Sequence, residues 1–326
     1  MTDIEPGPSA ARPGNAPPRP PGPVPEGYAP APPPDRPPAP YPTPVRPGTT
    51  APSLLSEGPI GNVPFLDTPG IPPFDRRQAW RWIFYAVAGF LAGQIAAVIF
   101  GIVAGDVAGK TSAQLQVIAS ASVPPEWYVV STLAGIWIGF VGAPWLASRT
   151  QGSGRFLRDL GVRFRVVDLL GLVIGVAGQG GISLLYAPFQ HDIHNFNGPS
   201  QKLTGGSHGV GILVIALASV VVVPFAEELF FRGLLFKGLV RLCTRAGGGT
   251  GRARALGVVL AVVIDGALFG LAHGELVQLA GLALFGMVLA VVSYKTGRLG
   301  MNMMAHGSFN LVAVLVIINT RGGVIH

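Results

Sequence analysis

Two adjacent carboxylates, Glu227 and Glu228, stand inside one of the most apolar stretches of the chain. Val221-Val222-Val223-Pro224-Phe225-Ala226 precede them and Leu229-Phe230-Phe231-Arg232 follow. A charge at the centre of a bilayer costs at least ~2.5–3.5 kcal/mol, so a pair there implies a use. Two further apolar segments carry polar groups at one-turn spacing: Phe269 with His273, and His306 with Asn310. Glu228 and Arg232 are four residues apart, on one helical face, and can form an ion pair. Glu227 lies about 100° around the same helix and is left to point elsewhere. The spacing therefore predicts a division of labour, with Glu228 and Arg232 as supporting residues and Glu227 doing chemistry.

A glutamate and a histidine together can activate a water molecule, so Glu227 and His273 are the candidate base and its partner. A second histidine with an asparagine amide can donate to a developing oxyanion, which assigns that task to His306 and Asn310. Such a set specifies hydrolysis of a carbonyl compound, most plausibly a peptide bond. Taken singly, a His or Asn in a membrane helix more often bonds a neighbouring helix than catalyses anything. The coincidence of three clusters is what favours a site. Asp265, two turns before His273, either orients that histidine or pairs with an interhelical donor. His191, His194 and His208, with Asp192, read as solvated loop residues, and the single Cys243 rules out an internal disulfide.

The soluble zinc-protease arrangement, two histidines and a glutamate on one helix, is absent. Glu227, His273 and His306 from three helices could still hold a zinc ion. The spacing does not decide whether a divalent metal is present, and the metal-free mechanism is the preferred reading.

The three motifs, Glu227-Glu228-x-x-x-Arg232, Phe269-x-x-x-His273 and His306-x-x-x-Asn310, occur in this order on apolar spans. In this they resemble the CPBP family of intramembrane proteases, which includes the type II CAAX prenyl endopeptidases and the bacterial Abi-type bacteriocin-processing or immunity proteins. The resemblance covers roughly residues 200–320, and no motif departs from the family pattern. It implies that Glu227 and His273 activate water, that His306 and Asn310 stabilise the oxyanion, and that Glu228 and Arg232 support them. Both metalloprotease and metal-free mechanisms are associated with the family. The rival readings are a non-catalytic membrane scaffold or bacteriocin-immunity protein, and a proton-coupled transporter using Glu227 and His273 as a relay.

Elements that must position these groups follow from composition. The chain is 49% hydrophobic and only 12% charged, against about 25% charged in a soluble domain. This predicts an all-α, polytopic transmembrane helical bundle. Seven spans of near the required ~20 residues fall at roughly 82–105, 127–147, 167–187, 209–226, 255–273, 276–293 and 300–319. The net charge of +7 does not point to nucleic acid, because the arginines cluster at the ends of apolar spans. If the N-terminus is cytoplasmic, every basic cluster falls on one side. The expected setting is thus a multi-pass protein in the lipid bilayer, the bacterial plasma membrane if the source is prokaryotic, acting on a membrane-associated peptide or protein.

Residues 1–75 form a separate region, ahead of a helical domain over 76–326. Twenty-five of the 31 prolines lie before residue 74, and such a segment buries too little apolar surface to offset its ordering entropy. It is read as a disordered cytoplasmic tail, without the apolar core of a signal peptide. Pro30-Ala31-Pro32-Pro33-Pro34 could dock an SH3-like partner, although a plain tether is the simpler reading. The motifs Gly135-x-x-x-Gly139 and Gly171-x-x-x-Gly175 predict close helix contacts. One conflict remains. With the fourth span ending at 226, Glu227 and His306 lie near the inner ends of their helices, while His273 lies about 27 Å along its own. The three could then meet only if the fifth helix starts outside the bilayer, is steeply tilted or is broken.

Overall fold

The computed structural model describes residues 76–189, 210–246 and 251–322. The Pro-rich tail and the His191, His194 and His208 cluster lie outside them. Among the described residues there are helices and turns but no strand, and seven helices are long and apolar enough to cross a membrane. We number them α1 (Arg76–Val107), α2 (Ser112–Ser120), α3 (Glu126–Gln151), α4 (Phe156–Leu160) and α5 (Leu170–Tyr186). They continue with α6 (210–246), α7 (Arg252–Ala272), α8 (Leu279–Thr296) and α9 (Gly300–Gly322). The short helices α2 and α4 are connections, and the other seven are the spans.

Small residues let these helices approach. On α3, a side chain at Gly139 would run into the Gly89 carbonyl and the Gly93 backbone of α1. On α5, side chains at Gly171 and Gly175 would strike the Met301 and Ala305 carbonyls of α9. Both glycine motifs are therefore contact seams, where backbone-to-backbone packing substitutes for a hydrophobic driving force that lipid does not supply. The second seam sets the position of α9, which carries His306.

Helix α6 is the centre of the bundle. Phe230, Phe231, Leu234, Leu235, Phe236 and Val240 are all buried, packed in one cluster with Trp82, Phe140 and Phe269 of three other helices, while Leu229 packs with Leu160, Leu299 and Met303. Its outer half differs: Val210, Leu213, Val214, Leu217 and Val221 are exposed, as lipid-facing residues must be. Two π-helical stretches, Ala218–Val222 and Leu229–Leu235, interrupt the α geometry on either side of the paired glutamates. Such wide turns recur at functional sites.

The fourth span does not end at residue 226. It is helical for nineteen residues beyond Glu227, about 28 Å, and α7 returns alongside it over 21 residues, about 31 Å. The two legs of this hairpin match, so Glu227 and His273 arrive at one level and the depth conflict disappears. The charges that made residue 226 look like a span end find partners inside the bundle. Lys237 donates from Nζ to the Asp159 carbonyl at 2.8 Å, and the Arg241 guanidinium lies 5.8 Å from the Trp82 ring. Hydropathy alone reads such residues as a loop.

Candidate active site

Four helices bring the polar residues together. Glu228 and Arg232 are fully buried on α6 and paired at 3.0 Å. Arg232 also donates from Nη2 to the Gly286 carbonyl of α8 at 3.0 Å. Its Nε lies 3.4 Å from Asp265 of α7, and the guanidinium sits 4.4 Å above the Phe269 ring. Asp265 thus takes the interhelical role, and its contact is with Arg232, not with His273. Asn302 of α9 donates to Glu228 Oε2 at 3.3 Å and to the Leu289 carbonyl at 2.8 Å. A buried charge survives only when paired and hydrogen-bonded, and Glu228 has three such partners once His306 is counted.

Both histidines are braced at Nδ1. His306 donates from Nδ1 to Glu228 Oε1 at 2.9 Å. His273 donates from Nδ1 to the Phe269 carbonyl at 2.8 Å, one turn earlier on its own helix. Each bond fixes the ring and leaves Nε2 as the working nitrogen. Those two atoms face the same place: Nε2 of His306 is 3.8 Å, and Nε2 of His273 is 3.9 Å, from Glu227 Oε2. That oxygen is buried and has no hydrogen-bond partner of its own. At nearly 4 Å none of these is a direct hydrogen bond. The separation is one that a small bridging group such as water spans.

Exposure is graded across the cluster. The His273 side chain is 30% exposed, Glu227 15% and His306 4%, so access is from the α7 end. The helix stops there because Gly274 takes φ +68°, the left-handed termination that glycine adopts without strain. His273 is consequently the last residue before the turn, with its ring free to face inward. Phe269 and Phe285 close the other side, with ring centroids 5.6 and 6.0 Å from that of His306.

Asn310 has a backbone partner of its own. Its Nδ2 donates to the Ser219 carbonyl, in the first π-helical stretch, at 2.8 Å. One amide N–H is thereby spent on α6, and the second is left over. Sequence spacing had both His306 and Asn310 on one face, which they share, but the backbone partner of Asn310 could not be read from it. Asn302, Asp265 and the Gly286 carbonyl complete the buried network and were not among the predicted site residues. The one-turn spacing of Asn302, His306 and Asn310 was the signal for Asn302, and the two-turn spacing from His273 was the signal for Asp265.

Residues 209–312 match a family model described as type II CAAX prenyl endopeptidase Rce1-like. Over these residues the chain is similar to that family, in line with the resemblance carried by the three motifs. The match runs from the start of α6 into α9 and encloses all three motifs. No curated protein and no solved structure matches the chain.

Proposed function

We propose that this protein is an intramembrane endopeptidase that hydrolyses a peptide bond of a membrane-associated peptide or protein. One observation carries the reading: a buried, unpartnered Glu227 oxygen faces two imidazole Nε2 atoms that are each braced at Nδ1. A family of CAAX/CPBP-type intramembrane proteases supplies the reaction class.

The steps follow from where protons can go. Water held between Glu227 and His273 loses a proton to Glu227 Oε2, and its oxygen attacks the carbonyl carbon. The carbonyl oxygen gains the electron pair and is met by N–H donors, from Nε2 of a protonated His306 and the second N–H of Asn310. Collapse breaks the C–N bond, and the proton on Glu227 passes to the departing amine. Glu228, Arg232 and Asn302 take no proton; they hold His306.

The donor set is also of the type that binds zinc, with two imidazoles braced at Nδ1 and one carboxylate. Glu227, His273 and His306 would hold the ion, which when bound lowers the pKa of its water. Their donor atoms stand about 0.5 Å further apart than around a tetrahedral ion. Among the described residues no three such side chains form a cage arranged for a metal. We therefore favour the route that uses only the chain's own residues.

Lysines and arginines crowd the end of the bundle where α1 begins and α3 ends, and we assign that end to the cytoplasm. The test is cleavage of a membrane-peptide library by the purified full chain, with Glu227→Gln as control. Cleavage lost in the variant supports the reading. Cleavage by neither protein would favour a scaffold, and proton-driven solute uptake in vesicles would favour a transporter.

A further inference from the structure

Arg232 presents three differently aimed N–H edges, and each reaches a different helix or residue. Nη1 meets Glu228 on its own helix, Nη2 meets the Gly286 carbonyl on α8, and Nε faces Asp265 on α7. Asp265 is fully buried, and neither of its oxygens has a hydrogen-bond partner. Nothing in the hydrolytic steps uses it. A carboxylate held in that state is costly, and a role in simple packing would be filled better by an apolar residue.

The α7 side of the contact has a register. Asp265, Phe269 and His273 are spaced four apart and form one stripe of the helix. The Asp265 carboxylate approaches Arg232 at Nε, and one turn on the Phe269 ring lies under the same guanidinium. One further turn along stands His273, whose Nδ1 is held by the Phe269 carbonyl. The Glu228–Arg232 pair, being within α6, says nothing about where α7 sits. Asp265 and Phe269 supply that information.

We propose that Asp265 is a positioning residue for the hydrolytic site. Its 3.4 Å ion contact with Nε, which is not a hydrogen bond, sets the depth of α7 against α6, and so the place of His273. It also sets the angle at which Arg232 presents Nη1 to Glu228, whose Oε1 in turn carries Nδ1 of His306. One buried carboxylate thus acts on both histidines from opposite sides, without touching either. An error of about 1 Å in such groups can cost ~10²-fold in rate, which gives the contact its value.

The test uses the full chain in detergent micelles, labelled with ¹⁵N-histidine, and Asp265→Asn. That variant keeps the shape and leaves Arg232 neutralised by Glu228. Ring ¹⁵N signals are assigned with His273→Gln and His306→Gln. The expected result is that the signals of His273 and His306 both move and the other histidines stay. Cleavage should fall ~10–100-fold in kcat, with KM nearly unchanged. Unmoved ring signals would overturn the proposal even if the melting temperature changes, because Asp265 would then be helix glue only. Should Asp265→Asn fail to fold, Arg232→Lys keeps the charge and loses the fork, and is read by the same two outcomes. The kinetic arm rests on the hydrolase reading. A wild-type chain that cleaves nothing sinks that reading, while the ring signals still decide this one.

Discussion

Replacing Arg232 by alanine isolates what the buried charge network contributes. The side chain is fully buried and carries an ion pair to Glu228 at 3.0 Å, a hydrogen bond to the Gly286 carbonyl at 3.0 Å and a contact to Asp265 at 3.4 Å. Removing one partner of a buried pair costs about 3–5 kcal/mol, most of it from the stranded charge. Here two carboxylates are stranded, which places Arg232→Ala near the top of that range. At about 2–4 °C per kcal/mol for a domain of this size, the melting temperature in detergent should fall by about 10–20 °C. The triple variant Glu228→Gln, Arg232→Met, Asp265→Asn removes every charge at once and should regain most of that loss. It should not regain cleavage, because His306 then lacks its ionised acceptor. Differential scanning fluorimetry in detergent, beside the peptide-cleavage assay, measures both. An Arg232→Ala protein melting within about 2 °C of the parent would refute the reasoning, since a buried network cannot lose its only shared cation at so little cost.

Other outcomes follow from the same geometry. Glu227→Gln keeps the shape but cannot take a proton, so turnover should drop ~10²–10⁴-fold at equal membrane abundance. Asn310→Ala should lower kcat about 10²–10³-fold with little change in KM, as measured by steady-state kinetics, if its second N–H serves the oxyanion. Elemental analysis of the purified protein should find no zinc that His306→Ala removes; stoichiometric zinc lost in that variant would make His306 a ligand. Gly175→Ile drives a side chain into the Ala305 carbonyl and Ser308, and should cost about 1–3 kcal/mol in unfolding titrations by pushing α9 away.

The amino-acid sequence by itself determined the class of the molecule and its cast of residues. Apolar runs of sufficient length can only be helices in lipid, because every backbone polar group must be satisfied within the segment. Seven such runs were legible for that reason. Glu227, His273 and His306 stood out because polar groups in those runs are costly without a purpose. What sequence patterning misjudged was the end of the fourth span. Hydropathy treats Glu227, Glu228, Arg232 and Lys237 as solvated, and so stops the helix at 226. The bundle instead neutralises Glu228 with Arg232, and carries Lys237 on the Asp159 carbonyl. The Glu228–Arg232 pair is local and legible from its spacing, but only tertiary structure brings the Asp159 carbonyl to Lys237, since that partner comes from a different helix. The same holds for Asp265, whose spacing allowed it to serve His273 equally well, and for Asn310, whose partner is a carbonyl in a π-helical turn. Periodicity gives the face on which a side chain stands. The depth at which two helices meet, and hence the convergence of both Nε2 atoms on Glu227, is set by the matched legs of α6 and α7 and by glycine seams that let backbones touch.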